Sequence, residues 1–270
     1  MRYRIDLCYD GTPFCGWQVQ PSSPSVQGEL EKALGMLLKA SVGVVGAGRT
    51  DTGVSASGYT AHFDFEGQLD CKQLKYKLNA VLPKAIAVQS VSEADADFHA
   101  RFSAVCRQYR YFLHRVKDPF LEASSYYYGY PDVDFDAMNK AAGMLLGTHD
   151  FCCFEKSGGD NKTSVCTVFK AEWKPYSPVL GQAGECAVYW CFTIEADRFL
   201  RNMVRAIVGT LLEVGRGRRT LDSFSSLILE ADKSAPKRPS LRSNAGESVP
   251  GHALFLTEIR YSSAGEPASE

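Results

Sequence analysis

No apolar run in the 270 residues approaches the roughly 20 needed to cross a bilayer, which argues against a helical membrane protein. There is no Cys-x-x-Cys, and only five His are present, leaving little with which to hold zinc. The nine cysteines, at positions 8, 15, 71, 106, 152, 153, 166, 186 and 191, are odd in number. They read as small buried hydrophobes in a reducing compartment rather than as a disulfide framework. A Gly-x-x-x-x-Gly-Lys-Ser/Thr phosphate loop, a dinucleotide fingerprint, a Gly-x-Ser-x-Gly elbow and a His-Glu-x-x-His site are all missing. Net charge is scarce as well: −1, with a sequence pI near 6.5. That argues against a non-specific nucleic-acid coat, although the local placement of charge matters more than its sum. The N-terminus, Met1 to Asp6, alternates and carries charge, so it does not read as a signal peptide. The expectation is a cytoplasmic protein without metal or cofactor.

What is present is ordinary globular usage, 45% hydrophobic and 23% charged, enough for one large domain or two small ones. Tyr3, Ile5, Leu7 and Tyr9 alternate with Arg4, Asp6 and Cys8, predicting a half-buried strand. A Gly/Pro/Ser-rich loop follows, and then Val26 to Leu38 recurs at helical spacing behind Ser25 as N-cap. Val42 to Ala47 predicts a short strand, and Ala61, Phe63 and Phe65 a third, alternating with His62 and Asp64. Cys71 to Leu82 predicts a second helix ended by Pro83, and Ala85 to Val91 a fourth strand. The order is β-α-β-β-α-β.

The second half repeats that order with insertions. Arg107 to Val116 predicts a strand, Met138 to Leu146 a helix behind Asp134, and Val165 to Trp173 and Val188 to Ile194 two further strands. Phe199 to Leu212 predicts the strongest amphipathic helix, and Leu221 to Leu229 a short one. Ala253 to Tyr261 predicts a last strand. Pro236 to Pro250 reads as an exposed basic loop, and residues 263–270 as a frayed tail. The fold class expected is α+β: two ferredoxin-like halves with antiparallel sheets, over residues 1–104 and 105–262.

The densest chemical candidate is Gly48-Arg49-Thr50-Asp51-Thr52-Gly53-Val54, a carboxylate on a turn held by strands, where catalytic groups tend to lie. The same residues also suit a plain turn in which Asp51 bonds its own backbone. Arg198, Arg201 and Arg205 fall at i, i+3 and i+7 of the predicted helix, on one face. That face is either solvated or able to reach a carboxylate or phosphate. Arg107-Gln108-Tyr109-Arg110-Tyr111-Phe112 interleaves cations with aromatics, a pattern suited to stacking bases and touching phosphates. Arg101 and Arg115, with Arg216, Arg218 and Arg219, are the other basic concentrations. A pure RNA-binding module would use the same strand but give Asp51 no purpose. A nucleoside hydrolase would want a second carboxylate near it.

These residues resemble the TruA family of tRNA pseudouridine synthases. The resemblance is carried by Tyr9-Asp10-Gly11 with Gly16-Trp17-Gln18, by Gly48 to Val54, and by Leu78-Asn79-Ala80-Val81-Leu82-Pro83. It continues through Phe98-His99-Ala100-Arg101-Phe102-Ser103-Ala104, Tyr109-Arg110-Tyr111 and Phe199-Leu200-Arg201-Asn202-Met203-Val204-Arg205, with Ile207-Val208-Gly209. It implies two ferredoxin-like halves around a basic cleft, a homodimer, and isomerisation of uridine in the anticodon stem-loop of tRNA without cofactor. It implies Asp51 as nucleophile, at C1′ of the ribose or C6 of the base. Tyr109 would pack on the target uracil and assist proton removal from C5, and Arg205 would pair with the aspartate. Arg49 would fill the gap left by the flipped base. Arg101, Arg110 and Arg201 are the further RNA-binding candidates. Two positions depart from the common pattern: Ser55 stands where His follows Gly-Val, and Gly58-Tyr59 where Gly-Gln is familiar.

Overall fold

The computed structural model describes residues 1–158, 161–181, 188–232 and 236–262. Cys186 and the 263–270 tail lie outside the described residues. The chain is mixed α+β, with mostly antiparallel strand pairs. It divides into two compact units, one of Met1–Arg107 with the described residues from Phe255 onward, the other of Gln108–Leu254. The last strand, expected with the second half, thus returns to the first unit.

The first unit runs β1 (Arg2–Tyr9), α1 (Val26–Leu38), β2 (Val44–Gly46), β3 (Ser55–Asp64), α2 (Cys71–Val81) and β4 (Ile86–Ala94). β3 pairs antiparallel with both β1 and β2, and β4 pairs antiparallel with β1. The alternation in β1 is one-sided burial: Tyr3, Ile5, Leu7 and Tyr9 are all buried while their neighbours are half-exposed. Each such side chain contributes roughly 1.5–3 kcal/mol by leaving water. The α1 stripe Val26, Leu30, Ala33 and Leu34 and the α2 residues Leu74 and Leu78 are buried with them. Ser25 Oγ accepts the Gly28 N–H and Asp70 Oδ1 accepts the Gln73 N–H, so both helices start on side-chain caps. β3 differs from its expected alternation. Thr60 to Phe63 are all buried, His62 included, because other groups cover both faces of the strand.

In the second unit the order is β5 (Ala104–His114, entering from the first unit), β6 (Tyr126–Tyr127), α3 (Phe135–Gly143), β7 (Gly147–Asp150), β8 (Val165–Pro175), β9 (Tyr189–Ala196), α4 (Met203–Gly215), α5 (Leu221–Ser225) and β10 (Leu229–Glu230). β11 (Leu254–Tyr261) closes the chain and pairs parallel with β3. β7 lies between β10 and β8, and β8 pairs with β9. The sequence pattern misses β6, β7 and β10, which have too few residues to show a period. α5 is shorter than expected, since Leu229 belongs to β10.

Two further expectations need correction. α4 starts at Met203 and not at Phe199, because Asn202 has φ +64° and no right-handed helix runs through it. Arg198 and Arg201 therefore precede the helix, and only Arg205 of the three lies on it. The 236–250 segment is also less exposed than its polarity suggests. Lys237 Nζ meets the almost wholly buried Glu155 carboxylate at 2.9 Å, Ser240 Oγ donates to the Glu155 carbonyl, and Val249 is buried. The eight described cysteines are free thiols, five of them buried. Burial pushes the Cys152 and Cys166 thiols up to about 12, which leaves them unreactive at neutral pH.

Candidate active site

In the first unit the Gly48–Val54 loop leaves the end of β2 and enters β3. Its backbone is fixed at alternate points. Tyr59 Oη donates to the Gly48 carbonyl at 2.5 Å. Thr50 is held twice: its Oγ1 shares a hydrogen bond with Tyr9 Oη at 2.9 Å, and its carbonyl accepts the Trp17 N–H at 3.3 Å. The loop closes on itself where the Val54 N–H meets the Asp51 carbonyl at 3.1 Å. Arg49 is exposed, Thr50 buried and Asp51 half-buried. Such a loop holds a carboxylate near the surface on a defined backbone, as a group that attacks a substrate requires.

Three rings lie under the loop. Tyr59 stacks on Trp17 with centroids 4.1 Å apart, and Tyr9 meets Tyr59 edge-on at 5.5 Å. Gly46 lets them in, since a Cβ there would lie 2.3 Å from Tyr59 Oη and 2.5 Å from the Trp17 ring. Gly16 has φ +94°, and its absent Cβ leaves room for the Thr50 carbonyl. Both departures from the familiar pattern serve this frame: Ser55 Oγ accepts the Gly11 N–H at 3.0 Å, and Tyr59 supplies the bond to Gly48.

The root of the loop is tied to the Phe98–Ala104 motif. The Arg107 guanidinium donates to the carbonyls of Ala47, Arg101 and Ala104 at 3.2, 2.6 and 3.0 Å. Arg101 itself is exposed, its guanidinium 5.5 Å from the centroid of the exposed Phe102 ring. Inside the motif, His62 Nδ1 accepts the Ala100 N–H at 3.1 Å, a bond that needs an unprotonated Nδ1. Burial, first, and then the charges of Arg2 and His99 push its pKa down to about 4, against an opposing pull from Asp64. The unfolded chain therefore binds the extra proton between about pH 4 and 6.5, and stability rises with pH across that window. His99 is shifted the same way by burial. Replacing His62 by Gln is expected to flatten the slope of unfolding free energy between pH 4 and 6.5, removing about 3 kcal/mol of pH dependence. Urea titrations at several pH values check this, and an unchanged slope would refute it.

In the second unit β5 presents Tyr109 half-buried, with its ring edge-on to Phe199 at 5.1 Å and 88°. Arg110, the next residue, is exposed, while Tyr111 on the Tyr109 side is buried and its phenol is pushed above the ordinary range by that burial. Arg205 stands in the first turn of α4, half-buried. Its Nε donates to the Val249 carbonyl at 2.7 Å, which fixes the plane of its guanidinium. Arg201 is exposed, with Nη1 3.3 Å from the Ser157 carbonyl. Asn202 Nδ2 donates to Ser248 Oγ at 2.5 Å, so the 236–250 segment braces the start of α4. Thus Arg49, Asp51 and Arg101 lie in the first unit and Tyr109, Arg110, Arg201 and Arg205 in the second. The supporting roles of Tyr9, Trp17, Tyr59, Phe199 and Val249 have no signal in the sequence pattern, and Arg107, which reads there as part of an RNA-facing strand, instead holds backbone. No group of three or more His, Cys, Asp or Glu placed to hold a metal occurs among the described residues.

A family model for tRNA pseudouridine synthases matches residues 8–103 and 141–262, spanning the Asp51 loop, the Phe98–Ser103 part of the next motif and α4. The chain belongs to the tRNA pseudouridine synthase family. It is similar at full length to "tRNA pseudouridine synthase A" of Bacteroides fragilis, 46% identical over 261 residues that cover 96% of each chain. The protein of that name from Bacteroides thetaiotaomicron is 47% identical over 96% of this chain and 90% of its own. That from Bacillus subtilis is 39% identical over 97% and 99%. The protein is accordingly an isomerase of tRNA uridine. Neither a bare RNA-binding module nor a nucleoside hydrolase accounts for that membership. Among the described residues no helix is long and apolar enough to cross a membrane.

Proposed function

We propose that the protein converts uridine to pseudouridine in the anticodon stem-loop of tRNA, with Asp51 as the nucleophile acting on a base turned out of its stack. The observation that carries this reading is the Asp51 loop: a half-exposed carboxylate on a turn held by two phenols, one on the Gly48 carbonyl and one on the Thr50 hydroxyl. In the isomerisation the N1–C1′ bond breaks, a C5–C1′ bond forms, and the C5 proton leaves as N1 gains one. Nothing is oxidised or reduced, so no cofactor is required. A carboxylate suits the task because it can both attack, at C1′ or at C6, and depart.

Tyr109 is the ring that packs on the target uracil, its own ring set by Phe199. Arg205 is the cation that keeps the aspartate ionised and oriented, and its bond to Val249 supports that role by restricting the guanidinium. Arg49, exposed beside the nucleophile, occupies the space of the extruded base and offsets part of the cost of unstacking. Arg101, Arg110 and Arg201 are exposed and available to phosphates. The pairings of β1 to β4 support a ferredoxin-like first half, with β1 between β4 and β3 and β2 on the far side of β3. The second half is proposed to share that plan, with β7 and β10 as additions. The working protein is proposed to be a cytoplasmic homodimer.

The reading is tested by incubating unmodified, transcribed tRNA with the wild-type protein and mapping pseudouridine by position. Pseudouridine confined to uridines of the anticodon stem-loop is the expected result. Product in another arm would reject the anticodon assignment, and its complete absence would reject the activity.

A further inference from the structure

Tyr59 lies outside the loop that carries Asp51, and nothing in the family resemblance assigns it a task. It sits on β3 opposite Leu7, with 1% of its surface exposed. The β1–β3 register shifts just there: Leu7 faces Tyr59 but Tyr9 faces Ala56, so one extra β3 residue is accommodated. Such bulges re-aim the side chains beside them. The phenol of Tyr59 reaches past the end of β2 to the Gly48 carbonyl at 2.5 Å, while its ring is fixed between Trp17 and Tyr9. The second phenol, that of Tyr9, reaches Thr50, and the Trp17 N–H reaches the Thr50 carbonyl. Residues 48 and 50 are thereby fixed on either side of Arg49, with Asp51 next in line.

We propose that Tyr59 is a positioning residue for the reaction: through the Gly48 carbonyl its hydroxyl fixes where Arg49 and Asp51 stand. This rests on the reading of Asp51 as nucleophile. The competing view, that Tyr59 merely fills the core, is separated from it by the hydroxyl. Phe at this position keeps the ring, its volume and the stack on Trp17, and loses the hydroxyl that bonds the loop. A displacement of the loop by a fraction of an ångström slows the chemical step and leaves the phosphate contacts of binding untouched.

The experiment is single-turnover pseudouridine formation with enzyme in excess over tRNA, comparing wild type with Tyr59→Phe. The rate constant reports how well the competent molecules are arranged, and the amplitude reports how many are competent. The proposal expects a rate constant at least about tenfold lower, near-full amplitude, and a tRNA Kd within about twofold of wild type. A filler of the core would lower the amplitude or the Tm and leave the rate constant unchanged, and a rate constant within twofold of wild type overturns the proposal. Should Tyr59→Phe fail to fold, Tyr9→Phe, which deletes the parallel bond to Thr50, is expected to slow the step likewise. An unchanged rate constant in that variant overturns the two-phenol frame. The same series run with Asp51→Asn keeps the two readings apart. Activity surviving in Asp51→Asn would remove the nucleophile reading itself, whereas its loss there with an unaltered Tyr59→Phe removes only the positioning role.

Discussion

Asp51→Asn is expected to lower kcat for pseudouridine formation by at least about 10³-fold while leaving tRNA affinity within about threefold. The amide has the shape of the carboxylate but neither its charge nor its ability to bond to carbon and leave again. The loop should survive the change. Its fixed points include the Gly48 carbonyl, the Thr50 carbonyl and hydroxyl, the Asp51 backbone carbonyl and the Gly53 N–H. Affinity should survive because phosphate contacts come from cations, and losing a negative charge beside an anionic ligand does not weaken them. Filter binding and steady-state kinetics on one tRNA read both quantities. A variant that binds and still turns over at a wild-type rate would leave the chemistry without its principal group.

The second large effect falls on a residue with no side chain. Gly16→Ala is expected to destabilise the fold by about 2–4 kcal/mol, since it adds left-handed backbone strain to overpacking. At φ +94° an alanine is strained before any contact is considered, and its methyl would stand 2.2 Å from the Thr50 carbonyl. That carbonyl also accepts the Trp17 N–H, so the methyl cannot be relieved without moving the loop. The molecules that fold should therefore also be slow, with a single-turnover rate constant reduced by about tenfold or more. Gly43→Ala is the matched control, because nothing lies within 4 Å of the added carbon and φ is not positive. Denaturant curves for the pair give the stability difference. Equal midpoints for the two variants would contradict the account of why Gly16 is there.

Much of the fold is legible because burial on one side imposes a period. Tyr3, Ile5, Leu7 and Tyr9 alternate in the sequence because they alternate in the structure, and Ser25 and Asp134 cap helices where their positions ahead of apolar stripes suggest. Where both faces are covered the period disappears, as in β3, where His62 is as buried as Phe63. Where a strand has two to four residues, as in β7 and β10, there is no room for a period at all. The start of α4 departs from the apolar spacing for a different reason. Apolar spacing runs smoothly through Phe199 and Leu200, but Asn202 takes a left-handed conformation, for which Asn is better suited than most residues, and the helix begins after it.

The candidate site divides along the same line. Asp51, Arg49, Tyr109 and Arg205 stand out because each belongs to a compact run of residues. Their supports do not. Tyr9, Trp17 and Tyr59 come from a strand, a loop and a second strand, and only the β1–β3 register, with its shift, brings the three rings under one turn. Arg107 lies inside a run that reads as an aromatic-basic RNA surface, yet three backbone carbonyls take up its donors. Side chains that hold backbone are recognised by what they reach, and the reach is set by tertiary structure.

The claim on which the rest depends is that the Asp51 carboxylate moves the ribose from N1 to C5 of a tRNA uridine. That exchange must expel the hydrogen at C5. The most direct measurement uses tRNA carrying tritium at C5 of its uridines and follows tritium released to water, with wild type and Asp51→Asn compared at saturating enzyme. The account predicts release by wild type in step with pseudouridine formed and without free uracil, and no release by Asp51→Asn although it binds the same tRNA. Release by the variant at the wild-type rate, or none by the wild type, would contradict it.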